Sequence, residues 1–316
     1  MQARVLTVLG TAAQVPTSER NHVGLFLRWD RHGFLFDPGE GTQRQMVRSG
    51  VSASDITKIF LTHFHGDHCL GLPGVIQRLS LQRAGHTVEI YYPSRGRVFL
   101  ERLIHCVPYY QAVDLELIPV ESAGEVYSEE GLSISAGQLD HGSQTFGYRI
   151  QEHASRTVHP GLLPPEVSGR RIGELKRKGR VQTESGVLRL EDVSSVKPGQ
   201  SFVCLMDTRL CETAEELARD ATLLVSEATY LESEVELAGD YRHLTAGQAA
   251  GLASRAGADK LILLHYSQRY RSQAPFAKEA KAYHPDVVAA RDGDVIPLPR
   301  LERKEEARSC HDSAKA

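Results

Sequence analysis

"FLTHFHGDHCLG", residues 60–71, sets His63, His65, Asp67 and His68 directly behind a short apolar run. Along an extended segment successive side chains turn to opposite sides. His63 and His65 can therefore bind one metal ion while Asp67 and His68 turn toward a second. Imidazole nitrogen with carboxylate oxygen is the donor set that suits zinc. Four donors do not complete two sites, so further ligands are expected at the ends of other strands. "LSISAGQLDH" (132–141) ends in His141, "SFVCLMDT" (201–208) carries Asp207, and "KLILLHYS" (260–267) carries His265. Singly, each has a plainer reading, Asp207 as a turn residue and the two histidines as satisfied core groups. Together they supply what a two-metal site lacks, and a carboxylate is the natural bridge between two cations, which nominates Asp207.

Outward from this stretch, short runs rich in Val, Ile, Leu and Phe recur between Gly, Pro or Asp, from "VLTVLG" (5–10) to "KLILLHYS". Their lengths suit buried strands. Helices are expected over 71–84, 95–106, 212–219 and 245–257, the last with Thr245 as N-cap. Strands dominate early and strand–helix alternation returns late, so the simplest architecture is a two-sheet core with helices outside. Residues 153–180 break the pattern, being polar, Pro/Gly-rich and basic near their end. Residues 302–316 lack apolar periodicity and read as a disordered tail.

The chain has 316 residues, 41% hydrophobic and 24% charged, ordinary values for a folded protein. A formal net charge of −3 gives no global sign of a nucleic-acid binder, so any basic surface must be local. Its five cysteines, Cys69, Cys106, Cys204, Cys211 and Cys310, form no CxxC pair, which fits a reduced, cytoplasmic compartment better than a disulfide scaffold. The opening "MQARVLTVLG" reads as a first strand, and no run approaches the roughly 18 apolar residues of a membrane span.

"HFHGDH" with these downstream residues resembles the metallo-β-lactamase superfamily, whose fold is a four-layer αββα sandwich with a dinuclear metal site. "PTSERN" (16–21), "DPGEGTQRQM" (37–46), "EATY" (227–230) and "RHLTAGQAA" (242–250) narrow the resemblance to tRNase Z, or ribonuclease Z, in its short form. The resemblance implies His63, His65 and His141 at one metal, Asp67, His68 and His265 at the other, and Asp207 bridging, with zinc as the ion. It further implies His243 as an additional catalytic histidine and Glu227 as the carboxylate that positions it. Asp67 would orient the water or accept its proton. The expected reaction is removal of the 3′ trailer from precursor tRNA after the discriminator nucleotide, by attack of a metal-bridging hydroxide. It would leave a tRNA 3′-hydroxyl and a trailer 5′-phosphate.

The odd segment then gains a use. "RRIGELKRKGR" (170–180) holds Arg170, Arg171, Lys176, Arg177, Lys178 and Arg180 against one acid, Glu174. In the family an insertion at this place forms a protruding arm that grips tRNA, the arm of one subunit serving the active site of the other. A homodimer follows, with neither membrane nor DNA as a partner. The expected organisation is a catalytic domain over 1–300 with the arm, 153–180, inserted, and a tail over 301–316. The rival readings are another hydrolase on the same scaffold and a non-catalytic RNA-binding protein.

Overall fold

The computed structural model describes residues 4–299; the expected tail and Cys310 lie outside the described residues. Two compact units are present, residues 4–151 with 201–299, and Glu152–Gln200.

The first unit is built on two seven-stranded sheets. One holds β1 (Val5–Gly10), β2 (Gly24–Trp29), β3 (His32–Phe36), β4 (Lys58–Phe60), β5 (Val88–Pro93), β6 (Leu115–Val120) and β18 (Val295–Pro297), in the order β18-β1-β2-β3-β4-β5-β6. The other holds β7 (Gly124–Glu129), β8 (Leu132–Leu139), β9 (Thr145–Glu152), β14 (Ser201–Leu205), β15 (Leu223–Glu227), β16 (Leu261–Leu264) and β17 (Val287–Ala289), in the order β17-β16-β15-β14-β9-β8-β7. Helices α1 (Thr42–Arg48), α2 (Gly66–Cys69), α3 (Leu72–Leu81) and α4 (Arg97–Ile104) fall within the first half of the chain. Helices α6 (Glu212–Ala218), α7 (Val235–Tyr241), α8 (Ala246–Ala256) and α9 (Ala274–Ala280) follow later.

Period-two alternation sorts the apolar side chains into three layers. On β3, Phe34 and Phe36 join a cluster with Phe202, Cys204, Val225, Ile262 and Leu264 of the opposite sheet, and this cluster is the filling between the sheets. Leu35 and Ile59 face the other way, onto Met46, Val75, Ile76 and Leu100 of α1, α3 and α4. Val203, Leu205, Leu224 and Leu263 pack outward on Ala214, Ala249, Ala253 and Phe276 of α6, α8 and α9. Strands covered on both faces read as continuous apolar runs, which is why their sequences show so little alternation. The αββα sandwich follows from these layers.

The expected helices are present within two or three residues of their bounds, and Thr245 caps α8 in a capping box with Gln248. Helices α1, α7 and α9 are additional to those expected; α6, which was expected, is no longer than these at seven residues, so length alone does not account for the difference.

In the second unit, β10 (Ser155–Val158) pairs with β13 (Ser194–Lys197), and β11 (Arg180–Thr183) with β12 (Gly186–Arg189). Helix α5 (Arg170–Lys178) completes it, and Val167, Leu175, Val181 and Val193 form a small core. The expected insertion, 153–180, is therefore the first part of a unit that runs on to Gln200. Its later strands are four residues each and mostly exposed, with too little apolar sequence to signal themselves.

Candidate metal centre

The seven predicted ligands converge at the ends of β4, β8, β14 and β16, all in the first unit. Tyr148 on β9 donates its hydroxyl to the Leu61 carbonyl at 2.9 Å, pinning the end of β4 just before His63. His65 opens α2 as its N-cap, which carries Asp67 and His68 inward. Asp207 and His265 leave their strands with φ of 37° and 64°, a left-handed conformation that costs a side-chain-bearing residue about 1–2 kcal/mol. Close packing sets the floor beneath them: a Cβ on Gly39 would lie 2.1 Å from the Asp67 carbonyl oxygen, and one on Gly71 2.0 Å from that of Gly39.

Hydrogen bonds fix which ring nitrogen faces the centre. Asp37 accepts the His68 Nδ1–H at 2.8 Å and the Thr62 hydroxyl at 2.7 Å. Thr62 in turn accepts the His63 Nδ1–H at 3.0 Å. Thr229 donates to Glu227 at 2.6 Å and accepts the His265 Nδ1–H at 2.9 Å, while the Arg242 carbonyl accepts that of His141 at 3.2 Å. With each Nδ1 occupied, Nε2 of His63, His68, His141 and His265 is left to ligate. His65 instead presents Nδ1, 2.9 Å from His63 Nε2 and 3.4 Å from His141 Nε2.

Donors around a tetrahedral cation with bonds of about 2.0–2.1 Å stand roughly 3.3 Å apart, and the observed spacings agree. Asp207 Oδ2 lies 3.5 Å from His63 Nε2 and 3.6 Å from His141 Nε2. Its other oxygen, Oδ1, lies 3.2 Å from His68 Nε2 and 3.1 Å from His265 Nε2, and Asp67 Oδ2 is 3.4 Å from both of these nitrogens. Oδ1 is nevertheless buried without a hydrogen bond, in keeping with Nδ1–H on both rings, which leaves a lone pair on each Nε2. Lone pairs that meet at a common point rather than at one another suit a cation. The residues present fit divalent metal at two adjoining donor groups that share Asp207.

Electrostatics point the same way. Burial pushes His63, His65 and His141 below the usual histidine range, favouring the neutral, ligating form. Burial also opposes charge on His68, yet Asp207, Asp67 and Asp37 outweigh it and hold its pKa well above the ordinary value. The carboxylates that favour a proton there favour a divalent cation equally. His243 gives its Nδ1–H to Glu227 Oε1 at 2.9 Å, and a ring nitrogen of it lies within 4.8 Å of donor atoms of Asp207 and His265. Burial opposes its charge, but the Glu227 carboxylate and its hydrogen bond prevail and raise it to about 9. Glu227 is itself fully buried and also accepts the Thr208 and Leu244 N–H groups at 2.7 and 3.2 Å.

Asp37, Thr62, Thr229 and Arg242 carry the site and were not singled out from sequence. Asp37, Thr229 and Arg242 lie within the quoted stretches "DPGEGTQRQM", "EATY" and "RHLTAGQAA", which mark their places without giving their roles; Thr62 carries no such mark. The six basic residues of 170–180 are not equivalent. Arg171 donates to the Glu166 and Gln182 carbonyls, tying its unit together, and Lys178 pairs with Glu174 at 2.7 Å. Arg170, Lys176, Arg177 and Arg180 are exposed.

A His/Asp cluster at the strand ends of an αββα sandwich defines a metallohydrolase of the metallo-β-lactamase superfamily, and the model of that superfamily matches residues 23–148. A ribonuclease Z of Nocardia farcinica is 48% identical, covering 95% of this chain and 99% of its own length, and one of Streptomyces coelicolor is 46% identical with the same coverage. The crystal structure of human tRNase Z, short form, superposes with a TM-score of 0.69 at 26% identity, covering 94% of this chain and 100% of its own. The chain belongs to the ribonuclease Z family.

Proposed function

We propose that this chain is the endoribonuclease that removes the 3′ trailer from precursor tRNA, cutting after the discriminator nucleotide to leave a tRNA 3′-hydroxyl and a trailer 5′-phosphate. Family membership supports the substrate. The observation that carries the chemistry is Asp207, which offers one oxygen to each of two donor groups. His63, His65 and His141 would hold one cation and Asp67, His68 and His265 the other, zinc being the ion that the nitrogen-rich set favours. Two such ions supply charge to neutralise the phosphodiester and bring water close to ionisation at neutral pH.

The chain's own groups do the rest. Asp67, with one oxygen turned to His68 and His265, has the other to orient the attacking water and take its proton. His68 and His265 outweigh the effect of burial and keep Asp67 below the usual carboxylate range, in the charged form that accepts a hydrogen bond from that water. His243, held by Glu227 through Nδ1, turns Nε2 toward the scissile bond and hands its proton to the departing ribose 3′-oxygen. Arg170, Lys176, Arg177 and Arg180 contact phosphates of the tRNA body, giving affinity without reading sequence. Residues 1–300 form the catalytic domain with the arm inserted, and the working form is a cytoplasmic homodimer. Among the described residues no helix is long and apolar enough to cross a membrane.

Elemental analysis tests the centre. Close to two zinc ions per chain are expected, with Asp207→Ala losing both. A variant that keeps one ion at full occupancy contradicts the shared carboxylate.

A further inference from the structure

We propose that Arg242 is a positioning residue that ties the proton donor His243 to the metal ligand His141. The inference rests on the acid role assigned above to His243. Arg242 closes α7 with φ of 57°, a left-handed conformation unfavourable for any side chain but glycine's. That conformation lets one residue grip His141 from two directions. The Arg242 carbonyl accepts the His141 Nδ1–H at 3.2 Å, and its Nη1 donates to the His141 carbonyl at 3.0 Å. The same Nη1 lies 3.4 Å from Asp140 Oδ1.

From there the bonds close into a ring. Arg209 Nε donates to Asp140 Oδ2 at 2.6 Å, and the Asp140 N–H donates to Thr208 Oγ1 at 3.1 Å. The Thr208 N–H donates to Glu227 Oε1 at 2.7 Å, the same oxygen that receives the His243 Nδ1–H. His243 is joined to Arg242 by a peptide bond, so His141, Arg242, His243, Glu227, Thr208 and Asp140 form one circuit. The side chains of Arg242 and Arg209 are about half exposed, at 45% and 50%, so their ion pairs to Asp140 add little stability. What the circuit supplies is registration: His141 cannot seat a metal without fixing where His243 sits. A donor displaced by even 1 Å loses much of its effect.

A leaving group that departs without a proton isolates this role. Two precursor tRNAs are compared, one with the natural 3′-oxygen at the scissile bond and one with a 3′-bridging sulfur, whose thiolate leaves unprotonated. Arg242→Ala is expected to lower kcat on the oxygen substrate roughly 10- to 100-fold, and to leave kcat on the sulfur substrate within about threefold of the parent. KM and metal content are expected to hold, and Arg242→Lys to recover most of the loss by again donating to His141. Arg242→Gly, which suits the left-handed backbone, replaces the alanine variant if that one does not fold. Equal losses on both substrates, a loss confined to KM, or a parallel loss of metal overturns the inference; a rise in KM that salt abolishes marks Arg242 as a phosphate-binding group instead. His243→Ala is the control. If sulfur rescues it but not Arg242→Ala, this inference alone falls; if sulfur does not rescue it either, the acid assignment falls as well.

Discussion

At the scale of single residues, the proposed roles divide between holding metal and moving protons. Asp67 belongs to both tasks, so Asp67→Ala is expected to lose metal and activity together. His243 is bonded to Glu227 and is assigned no metal, so His243→Ala is expected to keep its metal and slow roughly 10²–10⁴-fold; metal lost in step with activity sinks the acid role. Glu227 adds a signature in pH. Its carboxylate raises His243 to about 9, against the opposing effect of burial. An acid must carry its proton, so kcat is expected to fall as pH rises through the His243 pKa. In Glu227→Gln that falling limb is expected at lower pH, and an unmoved limb assigns the titration to another group. Asp37 works one step back, bonding His68 directly and His63 through Thr62. Asp37→Ala is expected to weaken metal binding roughly 10- to 100-fold in a competition titration, and unchanged affinity dismisses it. The proposed ligands were legible because His and Asp at strand ends are rare and chemically marked. The roles of Thr62, Thr229 and Arg242 were not, because a hydroxyl or a backbone carbonyl that orients an imidazole leaves no trace in composition, even where, as for Thr229 and Arg242, the residue falls inside a quoted motif.

At the scale of elements, strands were easier to read than the short pieces between them. The strands with both faces buried announced themselves as Val/Ile/Leu runs, whereas β7, exposed along much of its length, did not. The second unit shows the same limit: α5 buries only Leu175 fully, so its amphipathic face is nearly invisible beside its charges. Its cations divide by what they touch. Replacing Arg170, Lys176, Arg177 and Arg180 with alanine is expected to weaken precursor-tRNA binding and to flatten its salt dependence by roughly one unit of slope for each phosphate no longer neutralised. Arg171→Ala is expected to loosen the unit itself, read as faster proteolysis within 152–200, because Arg171 spans from the Glu166 to the Gln182 carbonyl. Excising residues 153–199 is a cleaner cut than stopping at 180. The Glu152 N–H already donates to the Gln200 carbonyl at 2.9 Å and β9 pairs with β14 immediately beyond, so a short linker closes the gap. The remaining protein is expected to keep its metal and its hydrolysis of bis(p-nitrophenyl) phosphate while losing tRNA affinity. Undiminished affinity for the tRNA makes the unit a bystander.

At the scale of the whole molecule, a sandwich with three separate apolar layers holds loops from both sheets at one rim, and the chemistry is confined to that rim. Net charge conceals a local excess, since the protein is slightly acidic overall while 170–180 sets six cations against one acid. Ions that bind only the folded chain raise its stability by mass action, so chelation is expected to lower Tm and abolish turnover, with zinc restoring both. Incubation of the purified protein with a 3′-extended precursor tRNA, followed by mapping of both new ends, tests the central claim most directly. The expected products are a tRNA ending in a 3′-hydroxyl at the discriminator nucleotide and a trailer beginning with a 5′-phosphate, both absent when metal is chelated. A tRNA fragment ending in a 3′-phosphate or a 2′,3′-cyclic phosphate, or cleavage that persists in chelator, contradicts the account.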